Sequence, residues 1–325
     1  MKKHLLSDNL FNELLLNPAK RGADELFIVS GYASAVMASY HIEQLKKEKV
    51  NVKINLLVGM TSRDGLSLTN HQTFKSLMES TFFNTFNCSY LTEYPPVHSK
   101  VYSWFKDGNP VDAYIGSANY SQQAFVLGSQ KEIASKCNPE SAFEYYQSLI
   151  EKSIYCNHQE VEEQVAFYNS RNVVLSNRDI IELETSDYKA PVGLDKITVS
   201  LLQTNGEIHK SSGLNWGQRE GRERNQAYIP LQADVWRSDF FPKVGQHFTV
   251  KTDDRKILIF TRAQQNGKAL HTPSNNSQMG EYFRNRIGVA NGKFVTKENL
   301  ISYGKTTVDF YKTDEEEYQM DFSRV

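Results

Sequence analysis

The pattern of apolar and polar positions divides this 325-residue chain into two parts of different texture. In the first part, short apolar runs alternate with longer amphipathic stretches. Residues 25–31 (E-L-F-I-V-S-G) and 52–59 (V-K-I-N-L-L-V-G) have the length and composition of buried strands, while 33–49 and about 71–84 carry helical spacing. A strand is expected at 132–134 and a helix at 139–154. Between them, V-H-S-K-V-Y-S-W-F from residue 97 and D-A-Y-I-G-S-A-N from residue 112 flank a 106–110 turn. Its Asp-Gly and Asn-Pro dipeptides predict a hairpin. Strands alternating with helices predict a largely parallel sheet covered on both faces, with ligands at strand ends.

Beyond residue 190 the texture changes. Short alternating runs at 197–202, 226–229, 246–249, 256–261 and 307–311 are separated by turn signals, as in an all-β barrel or sandwich. The intervening 157–188 stretch is polar and acidic with one or two helical segments. It reads as a connection, with Ala190-Pro191-Val192-Gly193 near its end. The expected organisation is therefore a first domain at 1–156, a helical linker at 157–189 and a second domain at 190–325, natural for a chain long for one core.

Net charge adds little until it is split. The total is −1, but residues 190–312 hold 18 Lys or Arg against 11 Asp or Glu, and the acid is concentrated at 314–317. No run approaches the roughly 18 apolar residues of a membrane helix, and the opening residues lack the order of a secretion signal. Cys88, Cys137 and Cys156 are odd in number and lack metal-ligand spacing, as expected of free thiols in a reducing compartment. His41 and His71 on helical stretches and His158 in a polar one read as core or surface histidines, and no metal site is expected.

The candidate chemistry lies in the hairpin. His98 and Lys100 are two residues apart and project from one face of a strand. Ser117 and Asn119, following Gly116, share a face at the end of the next. Pairing brings an imidazole, an ammonium, a hydroxyl and an amide together, a set suited to attack on a phosphate. Tyr32, Tyr94, Pro95 and Pro96 are candidates to line the cleft or to shape its packing.

These residues resemble the signature of the phospholipase D superfamily: H-x-K, four residues, D, then G-S-x-N. His98, Lys100, Gly116, Ser117 and Asn119 match, whereas Phe105 occupies the position of the Asp. The resemblance implies that a Glu beyond the Asn orients the histidine in its place, here Glu132. It also implies two histidines across the phosphorus, one forming a phosphohistidine and the other acting as acid and base, without a metal. His209-Lys210 lacks the intervening residue, so the chain carries half a site, completed by a homodimer with two His98 across a twofold axis.

Two polar loops mark the second domain. One contains Asn215, Trp216, Gln218, Arg219, Arg222, Arg224 and Asn225; the other contains Gln264, Gln265, Asn266, Lys268, His271, Asn275 and Asn276. Arg, Asn and Gln make paired hydrogen bonds to base edges, and a locally basic domain suits double-stranded DNA. A single-motif phospholipase D nuclease domain followed by a β-barrel is similar to the NgoFVII-type restriction endonucleases, whose C-terminal domain resembles the plant B3 fold. The implied fold is an α/β phospholipase D-like sandwich domain followed by an all-β B3-like pseudobarrel, with DNA-gripping arms at 215–226 and 264–278. The implied function is metal-independent, sequence-specific DNA cleavage in the bacterial cytoplasm. The implied partners are a separate ATP-dependent helicase-like subunit and a companion DNA methyltransferase. No Gly-x-x-x-x-Gly-Lys-Ser/Thr loop is present, so no cofactor is expected in this chain and ATP enters only through such a partner. Two other readings stand beside this one: a phospholipase D-type phosphodiesterase or nonspecific nuclease, and a DNA-binding protein with a decayed nuclease domain.

Overall fold

The computed structural model describes residues 5–79, 86–168 and 190–324. The chain divides into two compact units, Met1–Glu182 and Leu183–Val325.

The strands of the first unit are β1 (Leu5–Leu6), β2 (Glu25–Ser30), β3 (Lys53–Val58), β4 (Leu66–Ser67), β5 (Phe86–Leu91), β6 (Lys100–Lys106), β7 (Asn109–Gly116), β8 (Ala134–Lys136), β9 (Ser153–Tyr155) and β10 (Phe167–Tyr168). Eight of them form one sheet in the order β1-β8-β7-β6-β2-β3-β5-β9. Only β2–β3 and β3–β5 pair in parallel, so the sheet is mixed rather than largely parallel. The first of these crossovers runs through the helix Ala35–Lys47 and the second through Leu68–Glu79. The remaining neighbours run antiparallel, and of these only β6 and β7 are joined by a tight hairpin. The β6–β7 hairpin turns on Asp107 and Gly108 alone, with φ of 49° and 77°, the two positive values that a tight right-twisted hairpin requires. Asn109 and Pro110, expected in the turn, instead begin the second strand, opposite Lys106 and Phe105.

On one face, Val29, Leu57, Leu91, Val101 and Ala113 pack against Ala142 and Tyr146 of the helix Pro139–Ile150. On β2 and β6 the alternate positions Leu26, Ile28, Tyr102 and Trp104 are also buried, and the Trp104 indole donates to the Leu14 carbonyl at 2.8 Å. The three cysteines are free, with Cys88 and Cys156 buried. The expected linker begins on this unit: after a one-turn helix at Val161–Gln164, β10 pairs in parallel with β4. Residues 169–189, the rest of that stretch, lie outside the described residues.

The second unit contains β11 (Lys196–Ser200), β12 (Ile229–Pro230), β13 (His247–Thr252), β14 (Ile257–Ala263), β15 (Ala269–His271), β16 (Thr307–Lys312) and β17 (Glu317–Asp321). Their order is β11-β16-β17-β13-β14-β15-β12. The Gln232 amide links the two edges of this sheet, accepting from the Ser200 amide at 3.4 Å and donating to its carbonyl at 3.2 Å, which curls the sheet into a pseudobarrel. Phe248, Val250, Phe260, Phe310, Tyr318 and Met320 fill the core.

Two findings add to the expected pattern. The acidic segment runs from the turn at Asp314–Glu316 into β17, which opens on Glu317 and whose Tyr318 and Met320 point inward. Two helices, Ser277–Ile287 and Lys297–Tyr303, also pack on the core. The first does so through Met279, Tyr282 and Phe283 at helical spacing, and the second is started by a capping box of Thr296 and Asn299. Among the described residues, no helix is long and apolar enough to cross a membrane.

His41 is wholly buried, its Nδ1 2.9 Å from the Tyr120 hydroxyl and its Nε2 2.9 Å from the Leu15 carbonyl. Burial pushes its pKa down to about 4. The unfolded chain therefore binds this proton more readily. Stability loses up to about 3 kcal/mol from this group as pH falls from about 6.5 toward 4, and nothing from it above that window. Urea unfolding of the wild type and His41→Gln across this range should show a shallower pH slope in the variant. Parallel slopes would contradict the assignment.

Candidate active site and nucleic-acid interface

Four strand termini meet at one end of the first sheet. Ser30 at the end of β2 pairs with both Val58 of β3 and Lys100 at the start of β6, and Val101 pairs with Ile115 near the end of β7. The segment carrying His98 crosses these ends before β6 begins. Its Val97 amide donates to the Gly59 carbonyl at 2.9 Å. The approach is close enough that a Cβ on Gly59 would lie 2.3 Å from the Val97 oxygen. A Cβ on Gly31 would lie 3.0 Å from His98 Cδ2. Glycine at these two strand ends is a condition for the crossing.

His98 is exposed, whereas Lys100 is 7% exposed. Lys100 Nζ donates to the His98 carbonyl at 2.7 Å and lies 3.3 Å from each ring nitrogen of the same residue. Burial lowers the Lys100 pKa, and the charge of Glu132 partly offsets that effect. Ser117 is exposed; its hydroxyl donates to Glu132 and accepts from the Ile133 amide at 3.0 Å. Asn119 is half-buried, and its Oδ1 accepts from the Tyr32 amide at 3.2 Å.

Within one chain, therefore, Glu132 is held on Ser117 and acts on Lys100, and its carboxylate makes no described contact with the His98 imidazole. The His98 ring instead packs edge-on against Tyr32, with centroids 5.7 Å apart. The Tyr32 hydroxyl donates to Asp64 at 2.5 Å and receives a bond from Arg63 at 3.3 Å, and the Asp64 bond raises its pKa. Arg63 and Asp64 follow the end of β3, and nothing in their spacing set them apart in the sequence. Phe105 lies at the far end of β6, packed on Phe27 and Phe143 at 5.0 and 4.5 Å, so that position is part of the core. Tyr94 is 68% exposed in the segment leading to Val97. Among the described residues, no cluster of three or more His, Cys, Asp or Glu could hold a metal ion.

In the second unit the polar residues separate into two groups. Asn215 is fully buried; its amide donates to the His209 and Val295 carbonyls at 3.1 and 2.8 Å and accepts from the Val295 amide at 2.8 Å. Asn225 is 9% exposed and pairs with Glu281 and the Gly292 amide. Both amides are satisfied inside the fold, where they brace the loop. Gln218 is half-buried and donates to the Arg224 and Gly292 carbonyls.

Arg219, Arg222 and Arg224 are exposed, and Arg219 Nε is tied to the Ser211 carbonyl at 2.6 Å. The Arg222 guanidinium carbon lies over the Trp216 ring, 3.9 Å from the centroid, and Trp216 in turn packs on Tyr228 and His271. The second stretch is not one arm. Gln264, Gln265, Asn266 and Lys268 are exposed at the β14–β15 turn, whereas Asn275 and Asn276 precede the helix Ser277–Ile287 beyond the other end of β15. Lys268 Nζ lies 5.2 Å over the Trp236 ring, which Arg237 also approaches at 4.9 Å. His271 is half-buried, and burial lowers its pKa to about 4.

A His, a buried Lys, a Ser and an Asn gathered at the strand ends of a mixed α/β sheet, together with a pseudobarrel with basic, amide-rich loops, fit a phosphodiesterase joined to a DNA-binding module. A family model of the NgoFVII restriction endonuclease N-terminal PLD domain matches residues 8–163, and one of the NgoFVII C-terminal B3-like DNA-binding domain matches residues 190–314. The chain belongs to the NgoFVII restriction endonuclease family and is a DNA-cleaving phosphodiesterase of the phospholipase D class.

Among solved structures it is similar to NucT from Helicobacter pylori, at 16% identity and a TM-score of 0.33 over 46% of this chain and 96% of that one. The phospholipase D family member Nuc from Salmonella typhimurium matches at 16% identity and 0.30, over 44% and 89%. Polyphosphate kinase from Porphyromonas gingivalis matches at 13% and 0.33, over 50% and 26%. Comparison with curated protein sequences gave no match.

Two outcomes follow for the site. Gly31→Ala should push the His98 ring aside by a few tenths of an ångström and lower the cleavage rate roughly tenfold, less than the ~100-fold that a 1 Å misplacement can cost, with little change in the melting temperature. A rate within a factor of two of wild type would contradict the close approach. Glu132→Gln removes the charge that supports the Lys100 proton, so the alkaline limb of the cleavage pH profile should move to lower pH. A limb that stays in place or moves upward would show that Glu132 does not act on Lys100.

Proposed function

We propose that the chain is a sequence-specific restriction endonuclease that hydrolyses DNA phosphodiesters without a metal, through a phosphohistidine formed at a site shared by two subunits. The observation that carries this reading is the exposed His98 imidazole held beside the buried Lys100 ammonium, with one such pair in the chain. One His98 enters neutral and attacks the phosphorus, forming a P–N bond as the P–O bond to the departing sugar oxygen breaks. His98 of the partner subunit enters protonated and gives its proton to that oxygen. It then removes a proton from water, whose oxygen attacks the phosphorus and breaks the P–N bond, which restores both imidazoles.

Lys100, Ser117 and Asn119 supply positive charge and hydrogen bonds for the non-bridging oxygens. Glu132 supports the charge of Lys100 and fixes Ser117; aligning an imidazole falls to it only across the subunit boundary. In the second unit, the exposed Arg219, Arg222, Arg224, Gln264, Gln265, Asn266 and Lys268 are the candidates for base and phosphate contacts. Any ATP-driven step belongs to a separate subunit.

Plasmid or phage DNA digested in excess EDTA, with His98→Ala alongside, tests the chemistry. Cleavage should persist in EDTA and vanish in the variant. Undiminished cleavage by His98→Ala preparations, or complete loss of wild-type cleavage in EDTA that magnesium restores, would remove the imidazole from its role.

A further inference from the structure

The exposed arginines of the first polar loop differ in how they are held. Arg222 follows Gly221, a turn residue with φ of 75°, and its guanidinium carbon lies over the Trp216 ring, 3.9 Å from the centroid. Trp216 is itself fixed by Tyr228 at 5.5 Å and by His271 at 5.4 Å, where His271 ends β15. One guanidinium donor, Nη1, bonds to Gln226 Oε1 at 3.0 Å. A guanidinium carries five donors in a planar fork, so donors remain for a ligand on a side chain already held by the Trp216 ring and by Gln226. Flanking charge bears on which ligand that is. Glu220 and Glu223 sit on either side of Arg222 in the chain, and the exposed Glu223 carboxylate accepts from the Ser277 hydroxyl and the Asn225 main-chain amide. Acid on both sides weakens attraction to a phosphate. It leaves intact the short-range, directional pairing with a base edge.

Resting on the reading that this enzyme selects its DNA sequence, we propose that Arg222 reads a guanine of that sequence from the major groove, donating two parallel hydrogen bonds to O6 and N7. Trp216 and Gln226 are positioning residues: they touch the arginine, and the arginine touches the base. Because the fork is ordered before DNA arrives, less side-chain freedom is lost on binding, and the geometry rejects bases lacking two acceptors side by side. Lysine retains the charge but neither the fork nor the guanidinium's contact with the Trp216 ring, so Arg222→Lys separates base reading from phosphate attraction.

The test uses the full-length enzyme, a pool of DNA duplexes with randomised sequence, and sequencing of the cleaved ends. The wild type should enrich a motif with at least one invariant G·C pair. Arg222→Lys should relax one such position by tenfold or more, leaving the other positions and the salt dependence of binding unchanged. Trp216→Ala should relax the same position, and Trp216→Phe should restore part of the preference. Thermal unfolding of each variant confirms that the fold is intact, and the exposed Arg222→Lys change is the mildest of the set.

An unchanged motif in Arg222→Lys overturns the proposal. So does an Arg222→Ala variant that binds all sequences more weakly, with the salt slope reduced by about one and the motif preserved, since that is the behaviour of a phosphate contact. If the wild type enriches no motif at all, sequence selection itself fails, and the proposal falls with it.

Discussion

A lysine ammonium held almost entirely out of water at the mouth of a sheet is the constraint on which the rest of the first unit turns. Desolvating that charge is costly, and the fold offsets it with the His98 carbonyl at 2.7 Å and the nearby Glu132 carboxylate. The same arrangement pins the segment bearing His98 against the ends of β2 and β3, where glycines allow the backbone to cross. The imidazole stays exposed while its backbone is fixed. A nucleophile that is rigid yet accessible, beside a positive charge in a partly desolvated setting, is what attack on an anionic phosphodiester requires.

The second unit applies the same economy to its loops. Two buried arginines donate to main-chain carbonyls where a carboxylate partner would be expected. Arg284 reaches the carbonyls of Leu214, Asn225, Gly280 and Lys293, thereby clasping both ends of the first polar loop. Arg262 reaches those of Trp236, Phe241, Pro242 and Gly267, tying the β14–β15 turn to the segment before β13. Asn215 and Asn225 add amide bonds inside the same loop. The exposed side chains therefore project from backbone that is already ordered, which reduces the entropic cost of gripping DNA.

Much of this was legible in the chain itself. The β2 and β3 runs, the hairpin and the H-x-K and G-S-x-N spacings carry local signals strong enough to place the site at strand ends. The mixed sheet was less visible, because periodicity reports that a strand exists and not which way it pairs. The helix Ser277–Ile287 was missed because its apolar positions are few and its flanks are rich in Asn, Ser and Gln, the same composition that suggested a loop. Composition also cannot tell an exposed Asn from one that braces a loop: Asn215 and Asn266 look alike until burial separates them. Glu132 was singled out by the resemblance as a Glu beyond Asn119, yet its partner in the chain is Ser117, whose amide and hydroxyl also bond the neighbouring Ile133 main chain.

The central claim is that two subunits each contribute one imidazole to a single cleavage event. Co-expression of wild-type and His98→Ala chains with different tags, followed by isolation of the mixed dimer, measures this directly as the rate of cleavage in single turnover. The account predicts that the mixed dimer is as inactive as the doubly substituted one, because neither half can supply the missing acid or nucleophile. A mixed dimer with half the wild-type rate, or a wild-type protein that cleaves as a monomer, would show that each chain works alone.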